Sequence, residues 1–378
     1  MNLEESATDH EFRMEAREWL RTNRPAERLP SPDTERGFAL NREWERTLFE
    51  AGWAAVSWPA EYGGRGLGLW EWMIFEEEYF AAGLGPRAAQ NGLFLLAPSL
   101  FEFGTDAQKA ELLPRIAGVE DMWAQGWSEP EAGSDLAAVR VRADRDEAAG
   151  GWRVNGQKTW STRAPFCNRL FALVRTDPES TRHRGLSYLL IDLDAPGVTV
   201  RPVQKLGNET GFGEIFFDDV FVPDSDVLGG VGNGWKVAMA TTGSERGLIL
   251  RSPGRFMAAA QNLVDLYASV DGASSTLKRD VVDAWISAQA YRYNSMKTVT
   301  RIAEGGRVGA ESSGNKVFWS EMDVHMHETA LDLLGDGAEI DGKWWHGFIT
   351  SMATPIFAGT NEIQRNIVAE RVLGMPRS

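Results

Sequence analysis

Cysteine occurs once in this chain of 378 residues, at Cys167. An internal disulfide and a multi-cysteine metal site are therefore excluded. Histidine is nearly as scarce, with five in all. Only His325 and His327 stand close together, and an i, i+2 pair faces different sides of a helix, which favours a structural role over a metal site. Basic residues fall short of acidic ones, Lys+Arg 39 against Asp+Glu 54, for a formal charge of -15. That balance opposes binding to an extended polyanion, so no nucleic acid is expected. It also offers no basic patch to an anionic membrane surface. No run of about 18 apolar residues occurs, so no membrane span is expected. The start, MNLEESATDHEFRMEAREWL, lacks an apolar stretch flanked by basic residues, and the expected location is cytoplasmic.

What is present is ordinary for a folded protein: 43% hydrophobic and 25% charged residues. The length exceeds what one core usually organises, so two or three packed units are expected. Residues 1–118 read as helical. Thr8 with Glu11 predicts a capping box, followed by an apolar stripe of Phe12, Ala16, Trp19 and Leu20. A Gly/Pro/Trp loop fills residues 52–68, and WEWMIFEEEYFAAG resumes helical spacing until Gly83. Residues 119–226 read as strands. Asn155-Gly156 within GWRVNGQKTW predicts a hairpin turn, and RLFALVRT, GLSYLLIDL, GVTVRPV and GEIFFDDVFVP follow at short intervals. A compact antiparallel barrel or sandwich is the economical reading. Residues 227–378 return to helical periodicity, with Pro253 expected to end or kink the first helix. The fold class is α+β in the order α, β, α.

Chemistry-bearing candidates emerge in three places. Glu245 shares a predicted helix face with Ala238, Thr241 and Leu248, where a carboxylate would lose hydration and its pKa would rise. A solvated Glu245 beside Arg246 stands as an equal reading. WSEPEAGSD, residues 127–135, offers Ser128, Gly133 and Ser134 for a polar ligand edge or phosphate oxygens, although the motif read alone favours an ordinary Ser/Pro/Gly turn. TWST, residues 159–162, adds the Trp160 ring and two hydroxyls at a strand end; read alone, Trp160 suits a core position better than a ligand platform.

GWSEPEAGSDL, NGQKTWST, FFDDVFVP, GNGW and GTNEIQR occur in one order along the whole chain. In that order and spacing the sequence resembles the acyl-CoA dehydrogenase family. The resemblance implies an N-terminal helical domain over 1–118, a middle antiparallel β-barrel domain over 119–226 and a C-terminal four-helix bundle over 227–378. It also implies an acyl-CoA substrate, FAD, and electron-transfer flavoprotein as the acceptor. By that resemblance Gln125, Trp127 and Ser128 touch the flavin ring, and Ser134 lies near the pyrophosphate and the pantetheine arm. Trp160, Ser161 and Thr162 lie beside the flavin, Thr360 and Glu362 reach the cofactor, and Gly359 lets backbone approach the thioester. In many members the catalytic base directly precedes the Gly-Thr of the closing turn, where this chain has Ala358. A second branch carries the base on the first bundle helix, directly before an Arg. GSERGL matches that branch, which implies Glu245 as base and Arg246 as a substrate-side or orienting cation.

Two family segments that reach the FAD of an identical neighbour are missing. No Arg-x-x-Phe-Gly occurs over residues 267–290, and DLLGD, residues 332–336, replaces Gln-x-x-Gly-Gly. The chain thus resembles the catalytic subunits of heteromeric bacterial members that act on steroid side chains, and the implied partner is a second acyl-CoA dehydrogenase-like subunit in an α2β2 complex. A non-catalytic supporting subunit, or an oxidase or flavin monooxygenase on the same fold, are the alternatives.

Overall fold

The structure, a computed structural model, describes residues 5–246, 252–306, 308–340 and 342–376, with only the backbone of residues 244–246 and 252. Its α-helices are α1 (Ala7–Asn23), α2 (Glu35–Glu50), α3 (Leu69–Ala81), α4 (Ala97–Phe103), α5 (Asp106–Ala117), α6 (Gly234–Arg246), α7 (Ser252–Ser269), α8 (Ser275–Ala303), α9 (Ser312–Leu334), α10 (Lys343–Ser351) and α11 (Asn361–Ile367). Its strands are β1 (Trp123–Gly126), β2 (Arg142–Asp146), β3 (Gly151–Thr162), β4 (Arg169–Arg175), β5 (Leu186–Asp192), β6 (Val198–Val203), β7 (Phe212–Pro223) and β8 (Val227–Leu228). Helical N-terminal and C-terminal regions thus flank a middle sheet. Two compact units form. One gathers Met1–Ala26, Gly68–Leu84 and Arg246–Ser378, and the other Glu27–Leu67 and Gly85–Glu245.

In the helical unit, α7, α8 and α9 pack along one another, with α10 and α11 on α9. The seam is legible as a three- and four-residue repeat: Val281, Ala284, Ala288 and Tyr291 on α8 face Met322, Met326, Ala330 and Leu333 on α9. Each large apolar side chain buried there contributes about 1.5–3 kcal/mol. The cap of α1 differs from the expected Thr8–Glu11 pair. Ser6 is the N-cap, and it exchanges hydrogen bonds with Asp9, because an acidic side chain three residues on serves as well as Glu. Pro253 falls in the first turn of α7, where a missing N–H costs nothing. His327, buried on α9, has its Nδ1 2.7 Å from the Asp323 carbonyl. Among the described residues no acidic, His or Cys cluster suits a metal, and no helix is long and apolar enough to cross a membrane.

In the other unit the sheet runs β6-β7-β3-β2-β4-β5-β8, with β1 added beside β4. The expected barrel is not formed: β6 and β8 end the ladder without pairing to each other. Nor is the sheet wholly antiparallel, since β1 and β2 both run parallel to β4. Alternate residues Leu170, Ala172 and Val174 of β4 enter a core with Trp152, Val154, Ile215 and Val220. On the other face of the sheet Phe171 stacks on Tyr188, and α6 packs through Thr241, whose hydroxyl lies 2.7 Å from Ser99 Oγ and 3.3 Å from Tyr188 Oη.

Asn155-Gly156 is not a hairpin turn. Both residues lie inside β3, and the turn between β2 and β3 is made by residues 147–150, closed by Gly150 N–H on the Asp146 carbonyl. The pair instead answers a bulge on the neighbouring strand. Between the pairs Val154–Val220 and Gly156–Phe217, β7 carries the extra residue, with Asp219 at φ +53°. Asn155 Oδ1 accepts the Asp219 N–H at 2.9 Å, replacing the ladder bond that the bulge removes. Gly156, at φ +133°, passes close to Val141. An Asn-Gly pair therefore served a strand irregularity here, because a side-chain acceptor and a residue free of Cβ suit both settings.

Candidate active site

Two segments meet at the end of β1. The chain leaves β1 through Trp127 and Ser128 and loops back to Val141, while β3 passes beside it. Thr159 N–H donates to the Ser128 carbonyl at 2.9 Å, so residues 127–128 lie against residues 159–160. A second bulge, now on β3, falls between the pairs Lys158–Ile215 and Ser161–Gly213, with Trp160 at φ +56°. One added residue reverses which face every later side chain takes. Trp152, Val154 and Lys158 point inward at even positions, but Trp160 turns outward with 62% of its surface exposed and Ser161 takes the inward place. The indole stands edge-on to Phe212, with centroids 5.9 Å apart. Gln125, Ser128 and Thr162 are partly buried. Trp127 Nε1 and Ser161 Oγ are buried without a hydrogen-bond partner among the described residues. Ser134, on the same loop, is exposed.

A buried ion pair holds the junction together. Lys158, fully buried, donates to the Trp127 carbonyl at 3.1 Å, Glu129 Oε1 at 2.7 Å and the Leu173 carbonyl at 2.7 Å. Glu129 also accepts the N–H groups of Arg140 and Val141 at 2.6 and 2.9 Å, closing the loop on itself. Burial pushes the Lys158 ammonium down to about 8, against the pull of Glu129. Both residues sit in the quoted motifs, yet the sequence reading passed over them. The available signal was Lys158 at an inward strand position.

The closing turn lies in the helical unit. Ala358 and Gly359 are left-handed in succession, at φ +56° and +81°. For Ala this costs about 1 kcal/mol or more. The Gln364 amide donates toward both carbonyls at 3.3 and 3.4 Å, and a Cβ on residue 359 would meet Gln364 Nε2 at 2.4 Å. Thr360 is the N-cap of α11. Glu362 is exposed, and its own backbone amide and the Thr360 hydroxyl hold its carboxyl below the usual range. Asn361 is buried, with Oδ1 accepting from Lys316 Nζ at 2.8 Å and Ser320 Oγ at 3.0 Å. Neither Lys316 nor Asn361 was foreseen.

Glu245 and Arg246 are the last two residues of α6, and their side chains lie outside the described residues. The buried face of that helix is set by Val237, Ala238 and Thr241, and position 245 follows Thr241 by four. Asp332 and Asp336 are exposed at the C-terminal end of α9, where the helix dipole is also negative.

The residues of the junction suit a planar, polar-edged ligand: an exposed indole, two hydroxyls and free backbone around a rigid seam. Comparison with known proteins gives a consistent answer. The chain matches the acyl-CoA dehydrogenase N-terminal, middle and C-terminal domain models over residues 6–120, 124–220 and 232–373. It is 39% identical to acyl-CoA dehydrogenase IpdE1 of Mycobacterium tuberculosis, over 97% of this chain and 98% of that protein. The protein of the same name in Mycolicibacterium smegmatis is 38% identical with the same coverage. Among solved structures, the Tcur3481-Tcur3483 steroid ACAD superposes with a TM-score of 0.89 at 29% identity, covering all of both chains. The ChsE4-ChsE5 complex from Mycobacterium tuberculosis gives 0.84 at 28%, again over all of both chains.

Proposed function

The chain belongs to the acyl-CoA dehydrogenase family, and we propose that it dehydrogenates a bulky acyl-CoA thioester of the steroid side-chain class, as the base-bearing subunit of an α2β2 complex. The observation that carries this reading is the seam of residues 127–128 against 159–160, with Trp160 held outward. An exposed indole on a strand bulge has little to gain from water and much from a flat ring.

FAD would be held by Gln125, Trp127, Ser128, Trp160, Ser161 and Thr162, with Ser134, Thr360 and Glu362 toward its other parts, and would take up the hydride from the β carbon. Glu245 removes the proton α to the thioester carbonyl. An α proton of a thioester is far less acidic than a free carboxyl, so the base has to be desolvated until its pKa rises. Position 245 continues the spacing of the buried Ala238 and Thr241, which supports that role. Arg246 orients the substrate, Ser134 serves the pantetheine side, and Gly359 lets backbone approach the thioester. Ala358 leaves open the place that a carboxylate takes in other members. The acidic DLLGD segment repels a pyrophosphate, so an identical chain makes a poor donor of the other half of the flavin site. Electron-transfer flavoprotein is the proposed acceptor.

The test has two parts. The chain is first produced alone and its mass and flavin content measured; a homotetramer with one FAD per chain removes the heteromeric assignment. With a partner subunit present, a panel of CoA thioesters from short-chain to steroid is then assayed with an artificial electron acceptor. Turnover confined to bulky thioesters supports the proposal, oxygen consumption would reassign the chain as an oxidase, and failure of every thioester to bleach the flavin would make it a supporting subunit.

A further inference from the structure

We propose that Lys158 is a positioning residue that raises the electron affinity of the flavin by polarising the Trp127–Ser128 peptide. The inference rests on the proposed placement of FAD at the seam, and it assigns to a motif lysine a role that packing alone does not require.

The geometry is specific. Successive residues of β3 hold successive carbonyls of the facing segment: the Lys158 side chain takes that of Trp127, and the Thr159 N–H takes that of Ser128. The peptide planes on both sides of Ser128 are therefore fixed. All three ammonium protons of Lys158 are spent, on Trp127, Glu129 and Leu173. The carbonyl of Trp127 and the N–H of Ser128 belong to one peptide group. A cation donating to the first draws electron density away from the second and makes it a stronger donor, by about 10–30% for hydrogen bonds in series. Ser128 N–H donates to none of the described residues, so this gain is available to a ligand. Negative charge collects on the pyrimidine edge of a flavin when it is reduced, and a strengthened donor there favours the reduced form.

A lysine on the inward face of a strand is otherwise a poor choice. An apolar residue of similar volume in place of a buried ion pair is often neutral or stabilising, provided that both partners are replaced. The loop closure also has donors besides the ammonium, since the Arg140 and Val141 N–H groups donate to Glu129. Beyond the loop closure the ammonium bonds the Leu173 and Trp127 carbonyls, and only the second belongs to the seam.

The experiment compares wild type, Lys158→Met, Lys158→Gln and Lys158→Arg, each as the flavin-loaded complex with its partner subunit. Midpoint potential is read by spectroscopic titration, and the affinity of the deflavinated protein for oxidised FAD by fluorescence quenching. In Lys158→Met the preference for reduced over oxidised FAD is expected to fall about tenfold, equivalent to ~30 mV for a two-electron couple, with a smaller change in affinity for oxidised FAD. Lys158→Gln keeps a neutral donor and should show a partial fall; it carries the test alone should the Met variant not fold. Lys158→Arg should recover most of the loss. Unchanged midpoints in the Met or Gln variants, with only melting temperature lowered, would overturn the inference while leaving the proposed function intact. A wild-type complex that binds no FAD would overturn both.

Discussion

Asn361 Oδ1 accepts from Lys316 Nζ at 2.8 Å, so the first residue of α11 is fastened to a buried cation of α9. Ser320 adds a second donor to the same oxygen at 3.0 Å, and Asn361 N–H donates to the Pro355 carbonyl at 2.8 Å. The left-handed step at Ala358 and Gly359 is thereby pinned from its C-terminal side. Asn361→Leu removes the shared acceptor and should cost about 2–4 kcal/mol, the range for uncoupling a buried charged donor. Urea unfolding measures it; a loss below 1 kcal/mol would mean that the turn is held by Gln364 instead.

Gly156 combines φ +133° with a tight neighbour, since a Cβ there would stand 3.0 Å from Val141 Cγ2 and 3.2 Å from Val141 Cα. Gly156→Ala is expected to destabilise by roughly 1–3 kcal/mol through backbone strain. Asn155→Ala, which hands the exposed Asp219 N–H to water, should cost about 0.5–1.5 kcal/mol. Thermal melts of the two variants check both figures.

Glu245→Gln should lower turnover of a competent thioester by a factor of about a thousand or more, because a neutral amide accepts no proton, while the flavin spectrum stays unchanged. Stopped-flow reduction by substrate is the measurement. Retained flavin bleaching would remove Glu245 from the role of base.

Burial holds the imidazolium of His327 below its ordinary range, and the carboxylate and carbonyl of Asp323 only partly offset that. With the folded pKa below the unfolded one, the unfolded chain takes up the proton first as pH falls. Stability from this site is complete above about pH 6.5 and declines as pH drops below it. His327→Gln should therefore flatten the fall in stability between pH 7 and 5, and urea midpoints across that interval decide the matter.

Much of the architecture was legible because periodicity survives packing. The 281, 284, 288, 291 series on α8 and the 170, 172, 174 series on β4 are visible in the sequence before any coordinate. The motif residues were legible as a set, but their grouping was not. That residues 127–128 and 159–160 touch depends on strand pairing across some thirty positions, which local propensity does not encode. Asn155-Gly156 misled because turns and bulges make the same demand on a short acceptor and a flexible backbone. Barrel closure was likewise undetermined, because strand lengths and spacings do not say whether the two end strands meet.

The two bulges in the β3–β7 ladder have opposite sense. One places the extra residue on β7 and the next places it on β3, so the pairing offset introduced at Asp219 is cancelled at Trp160. Gly156, Gln157 and Lys158 are the pairs that lie between. They form a short domain of slipped lattice bounded by two dislocations of opposite sign, with perfect register on either side. Deleting one residue at either boundary alone would propagate the slip to the end of the sheet, whereas deleting one at each would heal the ladder. The strand pair therefore carries a paired defect, with the exposed Trp160 at one of its boundaries, which can be erased only in two coordinated steps.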